Sequence, residues 1–220
     1  MSREVFNRRL HQLVDEVLVL GSMVEQAVHQ SVVSLIRHDL STANLIITGD
    51  QKINEKRFDI ENQCITLIAT QQPMGRDVRF LAAILEIITE LERIGDYGKG
   101  ISRINLMLEE DPGDKPIFLD LQTMADQGLD MLHRALGAFV TNDAAVALAI
   151  PSEDDIVDQL YLHIYHELVQ QMIADPRTID HGNHLIWAAH NLERMADRVT
   201  NICERITYVA TGVIKELDVT

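Results

Sequence analysis

Apolar residues recur along this chain every three or four positions, with few interruptions. Phe6, Leu10, Leu13, Val17, Leu20, Val24 and Ala27 step by four and three in alternation, the stripe of a helix packed in a bundle. The pattern predicts a first helix ending near Asp39, with Ser41 as the next N-cap candidate. Gly21 inside it costs roughly 1 kcal/mol against Ala, and close contact with another helix is the natural reason for it. A second helix is predicted over 41–72, striped by Ile46, Ile53, Ile60 and Leu67, with Pro73 ending it and placed to open the next at its first turn. A third, over 76–108, carries Ile84, Ile87, Leu91, Ile94, Gly98 and Ile101. Glu109-Glu110-Asp111-Pro112-Gly113-Asp114-Lys115-Pro116 then combines charge, Pro and Gly, the mark of a linker.

The scheme repeats. Leu121, Ala125, Gly128, Leu132, Ala135 and Phe139 predict a fourth helix, and Thr141-Asn142-Asp143 a turn with Asp143 as N-cap. Ala147, Ile150, Asp154, Val157, Tyr161, Ile164 and Leu168 predict a fifth, kinked at Pro151. Asp175-Pro176 turns the chain into a sixth, from Leu185 to Val213. At an offset of 104, Ile46, Asp50, Ile53 and Ile60 match Ile150, Asp154, Val157 and Ile164. At an offset of 101, Leu91, Glu92, Arg93, Asp96 and Ile101 match Leu192, Glu193, Arg194, Asp197 and Ile202. The fold expected is all-α: six long helices in an internal repeat, two tandem three-helix bundles over 1–110 and 117–220.

Acids interrupt the apolar stripes at matching places. Leu91-Glu92-Arg93-Ile94-Gly95-Asp96 and Leu192-Glu193-Arg194-Met195-Ala196-Asp197 each set a Glu and an Asp one turn apart on a helix face. If helices two and three pair antiparallel about Pro73, Asp50 lies level with Asp96 and Asn54 with Glu92. The Asp175-Pro176 turn similarly levels Asp154 with Asp197 and Asp158 with Glu193. Two carboxylates about 4 Å apart repel by roughly 4 kcal/mol at an effective dielectric near 20. Either some stay protonated or a cation sits between them, and carboxylates projecting from bundle helices suit hard cations and bridged iron or manganese. The plainer alternative is a solvated face on which Arg93 and Arg194 neutralise their neighbours. If the first two helices turn near residue 39.5, Glu25 or His29 could join the first cluster.

Charge and motif content narrow the function classes. The net charge is −15, and acid concentrates in the second half. With no basic stripe, neither nucleic acid nor an anionic membrane surface is an expected partner. No run of 18 apolar residues exists to span a membrane, and Met1–Leu10 lacks the apolar core of a signal peptide, so a cytoplasmic protein is expected. Cys64 and Cys203 stand far apart at apolar helical positions, which reads as core packing in a reducing compartment. Glu-x-x-His is absent, which argues against an oxygen-activating di-iron enzyme. His163-x-x-His166 and His181-x-x-His184 have zinc-compatible spacing, though surface positions are the default reading. No P-loop, Gly-rich dinucleotide turn, Gly-x-Ser-x-Gly, or nucleophile with its base is present.

At these residues the chain resembles the PhoU family. Glu92-Arg93-Ile94-Gly95-Asp96 and Glu193-Arg194-Met195-Ala196-Asp197 look like its paired acidic motifs. Gly49-Asp50-x-x-Ile53-Asn54, Gln72-Pro73-x-x-Arg76-Asp77-Val78-Arg79 and Gly21-Ser22-Met23-Val24-Glu25 resemble further blocks, so the likeness spans about Phe6 to Gly212. The resemblance implies a cytoplasmic, metal-binding adaptor that represses phosphate uptake and phosphate-starvation signalling. Its partners would be components of a phosphate ABC transporter and a sensor histidine kinase. It further implies a homodimer, no enzymatic activity, and metal ions as cofactors, iron foremost, with zinc, manganese or magnesium as alternatives. Carried over by position, Glu92, Asp96, Glu193 and Asp197 are the primary ligands, and Asp50, Asp154 and Asp158 support them. Two departures stand out. Asn54 sits where its repeat mate Asp158 is acidic, which implies fewer or weaker-bound ions in the first cluster, and Met195-Ala196 replaces Ile-Gly. The competing class is a metal-dependent hydrolase or oxidase that uses the same clusters to activate water or oxygen.

Overall fold

A computed structural model describes residues 3–108 and 115–217. Every regular element among them is helical: α1 (Arg3–Ile36), α2 (Leu40–Gln71), α3 (Arg76–Asn105), α4 (Lys115–Thr141), α5 (Ala144–Ala149), α6 (Asp154–Ala174) and α7 (Ile179–Thr211). Residues 109–114 of the expected linker lie outside the described residues, while its last two, Lys115 and Pro116, open α4.

Local chemistry sets the ends. Asp39, not Ser41, caps α2: its carboxylate accepts from the backbone N–H groups of Ser41 and Thr42, and the Thr42 hydroxyl first, then the Thr42 N–H and the Ser41 hydroxyl, hold its pKa down at about 2. Helix α1 stops at Ile36 rather than near Asp39, because His38 takes a left-handed φ of 48°. Helix α3 ends at Asn105, short of Leu108; the buried Asn105 amide donates to the Ser34 carbonyl at 2.9 Å, tying this end to the α1–α2 turn. Pro73 lies in the connection rather than in the first turn of α3. Gln72 caps α2 in the left-handed region, and Gly75, at φ 60°, separates the proline from Arg76. The Asp143 cap forms as expected, through the N–H groups of Ala145 and Val146. Pro151 does more than kink the fifth rod. It converts Ile150–Glu153 into a 3-10 turn, splitting the rod into α5 and α6.

Helices α1, α2 and α3 pack on one another as the first bundle, and α4, α5, α6 and α7 as the second. The bundles meet through α3 against α7 and α1 against α4, and a single apolar core runs through both. Among the described residues, α2 and α6 touch only their own bundle, so each flanks the central four helices. Across the seam Glu90 meets Asn201, Tyr97 meets Arg194 and Gly100 approaches Asn191, so α3 and α7 run antiparallel. This arrangement makes the bundles pseudo-twofold mates and levels their acidic motifs. Gly21 is explained by close approach, since a Cβ there would stand 2.4 Å from Leu136 Cδ1 on α4. Cys64 and Cys203 are fully buried free thiols, pushed up to about 12 first by desolvation. No helix among the described residues is long and apolar enough to cross a membrane.

Candidate metal centre

The first cluster joins α2 to α3. Asp50, at the stripe position of α2, is buried to 6% exposure. An acid so placed needs partners, and α3 brings one: Lys99 Nζ donates to Asp50 Oδ2 at 2.6 Å. The same ammonium donates to Asp96 Oδ1 at 3.3 Å, so one positive charge bridges carboxylates from two helices. Those bonds raise the Lys99 pKa, Asp50 first. Asn54 turns its amide nitrogen inward and donates to Asp50 Oδ2 at 3.0 Å. Asp50 Oδ1 is buried and receives no hydrogen bond. Glu92 is half-buried, and its pKa is raised by burial, then by Asp96 and Asp50, with Arg57 and Arg93 opposing. Asp50 and Asp96, levelled by the Pro73 turn, thus meet through Lys99, and Glu92 lies close enough to feel both acids.

The second cluster joins α6 to α7. Asp154 opens α6 directly after the 3-10 turn and is buried to 8% exposure. Its neighbour Glu153 fixes the turn by accepting from Arg134 Nη1 at 2.8 Å and Gln127 at 3.1 Å, both on α4. Asp154 Oδ1 has no hydrogen-bond partner. Its pKa is pushed up to about 7, by burial first and then by Asp158, Asp197 and Glu193. Burial and these neighbours also raise Asp158 and Glu193. Glu193 Oε2 is buried without a hydrogen bond, with His190 Nδ1 3.3 Å away. At the rim, Arg194 Nη1 stands 3.3 Å from Asp197 Oδ2. The four acids named for this site thus feel one another, as the sequence spacing requires.

The arginines behave differently from the plainer expectation. Arg93 pairs with Glu90 at 3.1 Å rather than with Glu92 or Asp96, whereas Arg194 does meet Asp197. Glu25 and His29 do not join the first cluster. Glu25 faces α4, its Oε1 3.4 Å from His133 Nδ1, and both line a groove between α1 and α4 with Asp130. Being level with the cluster did not put them on its side of α1. Met23, Gln26 and Gln30 line the hollow beside Asp50 instead. His163 and His166 are exposed, and His184 stacks edge-on to Trp187.

Sequence reasoning missed Lys99. The signal was available: at the 101-residue offset Lys99 matches Thr200, and at 104 Arg57 matches Tyr161. These two cations near the first cluster have neutral mates near the second, whereas Arg93 is matched by Arg194. Thr200 Oγ1 is buried without a hydrogen-bond partner.

Among the described residues, no three His, Cys, Asp or Glu side chains stand gathered as a ready ligand set. What the second cluster offers a cation is orphaned, buried oxygen, Asp154 Oδ1 and Glu193 Oε2, beside acids that repel one another. That donor set fits a hard cation.

The chain matches the PhoU domain family model twice, over residues 17–104 and 121–206. It is 34% identical over 216 residues to the phosphate-specific transport system accessory protein PhoU homolog of Streptococcus pneumoniae serotype 4, covering 98% of this chain and all of that protein. It is 33% identical over 207 residues to the corresponding homolog of Pseudomonas putida, covering 94% of this chain and 81% of that one. The fold matches the crystal structure of the phosphate transport system regulatory protein PhoU from Streptococcus pneumoniae with a TM-score of 0.89, at 33% identity, covering 96% of this chain and 99% of that one. The crystal structure of PhoU from Pseudomonas aeruginosa matches equally, with a TM-score of 0.89, at 32% identity, covering 94% of this chain and all of that one. The chain belongs to the PhoU family.

Proposed function

We propose that this PhoU-family chain is a metal-binding regulator of phosphate transport, acting through protein contacts in the cytoplasm rather than by catalysis. The observation that carries the reading is the family match, which covers both halves of the chain. Its relatives are named as accessory and regulatory proteins of phosphate transport. The partners that fit are phosphate ABC transporter components and the sensor histidine kinase that reports phosphate supply, with a homodimer as the working form. The role is repression of uptake and of the starvation response when phosphate is plentiful.

Glu193, Asp197, Asp154 and Asp158 would hold metal in the second bundle, and Glu92, Asp96 and Asp50 are their counterparts in the first. Bound metal would supply positive charge that draws carboxylates of α6 and α7 together and attracts anionic groups. Iron suits the donor set, as do manganese, magnesium and zinc. The chain's own part is to hold two buried oxygens, on Asp154 and Glu193, free of hydrogen bonds.

The test is genetic. A strain lacking this gene should take up labelled phosphate at a raised rate in phosphate-rich medium, and the gene restored in trans should bring it back down. Normal phosphate control in the deletion strain would overturn the regulatory reading.

A further inference from the structure

We infer that the two acidic clusters are not equivalent: Lys99 serves the first as a built-in cation, and metal binding belongs to the second. The inference rests on the metal reading above and assigns that metal to one bundle.

Lys99 Nζ lies where a bridging ion would act, 2.6 Å from Asp50 of α2 and 3.3 Å from Asp96 of α3. It is covered, with a side-chain exposure of 21% against 7% for Asp50. Asn54 completes the arrangement by donating to Asp50 Oδ2 at 3.0 Å. A carboxamide ligates a metal through its carbonyl oxygen, whereas this one turns its N–H group to the shared acid. Arg57 lies close enough to oppose the raised pKa of Glu92. A divalent ion entering here would have to expel an ammonium and face a guanidinium.

The second cluster exchanges these three partners. Thr200 replaces Lys99, Asp158 replaces Asn54 and Tyr161 replaces Arg57 at matching repeat positions. Asp154 is more than nine-tenths buried and, like Asp50, has an Oδ1 with no hydrogen-bond partner, but among the described residues no ammonium pairs with it as Lys99 pairs with Asp50. Arg194 touches only the outer acid, Asp197, and is itself bonded to Tyr97 across the seam. His190 likewise meets one acid, Glu193, at 3.3 Å, and among the described residues no cation bridges α6 and α7 as Lys99 bridges α2 and α3. Lys99 and Thr200 are therefore the residues that decide which cluster takes metal.

The experiment is equilibrium dialysis of the full-length chain against manganese(II), with elemental counting and thermal melts with and without the ion. Four forms are compared: wild type, Lys99→Thr, Thr200→Lys, and the first-cluster double variant Glu92→Gln/Asp96→Asn. Wild type should bind manganese and melt higher with it. Thr200→Lys should weaken binding at least tenfold. Glu92→Gln/Asp96→Asn should leave affinity within about twofold. Lys99→Thr should melt lower without metal, bind more manganese per chain than wild type, and recover stability on its addition. If Lys99→Thr does not fold, Thr200→Lys still decides the matter. Two outcomes overturn this inference alone: manganese lost from the first-cluster variant as much as from Thr200→Lys, or a Thr200→Lys chain that binds as wild type does. If none of the four forms, wild type included, binds manganese, both this inference and the metal reading beneath it are overturned.

Discussion

The two acidic clusters come from matching stretches of a duplicated bundle and have different electrostatic surroundings. In the first, Asp50 is buried yet paired with Lys99 at 2.6 Å. In the second, Asp154 is buried almost as deeply, and its pKa is pushed up to about 7 by burial and by Asp158, Asp197 and Glu193. The backbone differs at one place, since Asp154 follows a 3-10 turn whereas Asp50 lies within the unbroken α2, and three side-chain exchanges add to it: Lys99 for Thr200, Asn54 for Asp158 and Arg57 for Tyr161. A repeat can thus keep its helices and acids while dividing their work. One cluster carries its own bridging cation in Lys99, and the other has none among the described residues.

The sharpest way to break the comparison is to remove the internal cation. Lys99→Ala leaves Asp50 buried without its charge partner and should cost about 3 kcal/mol of stability in urea unfolding. Thr200→Val, its mirror in the second bundle, should be near neutral, because Thr200 Oγ1 has no hydrogen bond to lose. Equal costs would mean that the two surroundings do not differ as described.

Next in size is the seam. Glu90 reaches from the first bundle into the second, with Asn201 at 3.2 Å and Arg198 at 3.5 Å, while its repeat mate Asn191 donates within its own helix to the Trp187 carbonyl at 2.7 Å. Glu90→Ala should therefore cost about 2 kcal/mol in urea unfolding, and Asn191→Ala under about 1 kcal/mol.

Asp154 sharpens the comparison through pH. Its folded pKa of about 7 exceeds its ordinary value of 3.8. The folded state holds that proton more tightly than the unfolded chain does. Its contribution is full below about pH 4, falls away as pH rises toward about 7, and is absent above. In chelator-treated protein, Asp154→Asn should raise stability at pH 8 on the order of 2 kcal/mol and lose that advantage by pH 4. Urea midpoints across that range check it; a gain that does not shrink toward low pH would contradict the burial of a strained charge.

The smallest expected effect is a control. The Asp39 and Asp143 caps each accept from two backbone N–H groups, and Asp39 accepts also from the hydroxyls of Ser41 and Thr42. Alanine at either should lower the urea midpoint slightly, more at Asp39 than at Asp143.

Much of this was legible in the sequence because helical periodicity fixes which face is buried and an antiparallel turn fixes height. Those two facts place Asp50 with Glu92 and Asp96, and Asp154 with Asp158, Glu193 and Asp197. They do not fix azimuth about a partly exposed helix, which is why Glu25, level with the first cluster, faces His133 of α4 instead. Chain ends were also set by local bonding that periodicity does not carry: Asp39 rather than Ser41 holds the α2 N-terminus, and Gly75 keeps Pro73 out of α3. Lys99 was visible as a residue but not as a partner. A search for repeated acids passes over the one place where the repeat exchanges a cation for a hydroxyl.

The most direct test of the division of work is elemental analysis of the protein as isolated from metal-replete cells. Wild type is set beside Glu92→Gln/Asp96→Asn and Glu193→Gln/Asp197→Asn, each checked for folding by circular dichroism. The account predicts that metal per chain is kept in wild type and the first-cluster variant and lost from the second-cluster variant. Equal loss from both variants, or a wild type that carries no metal, would contradict it.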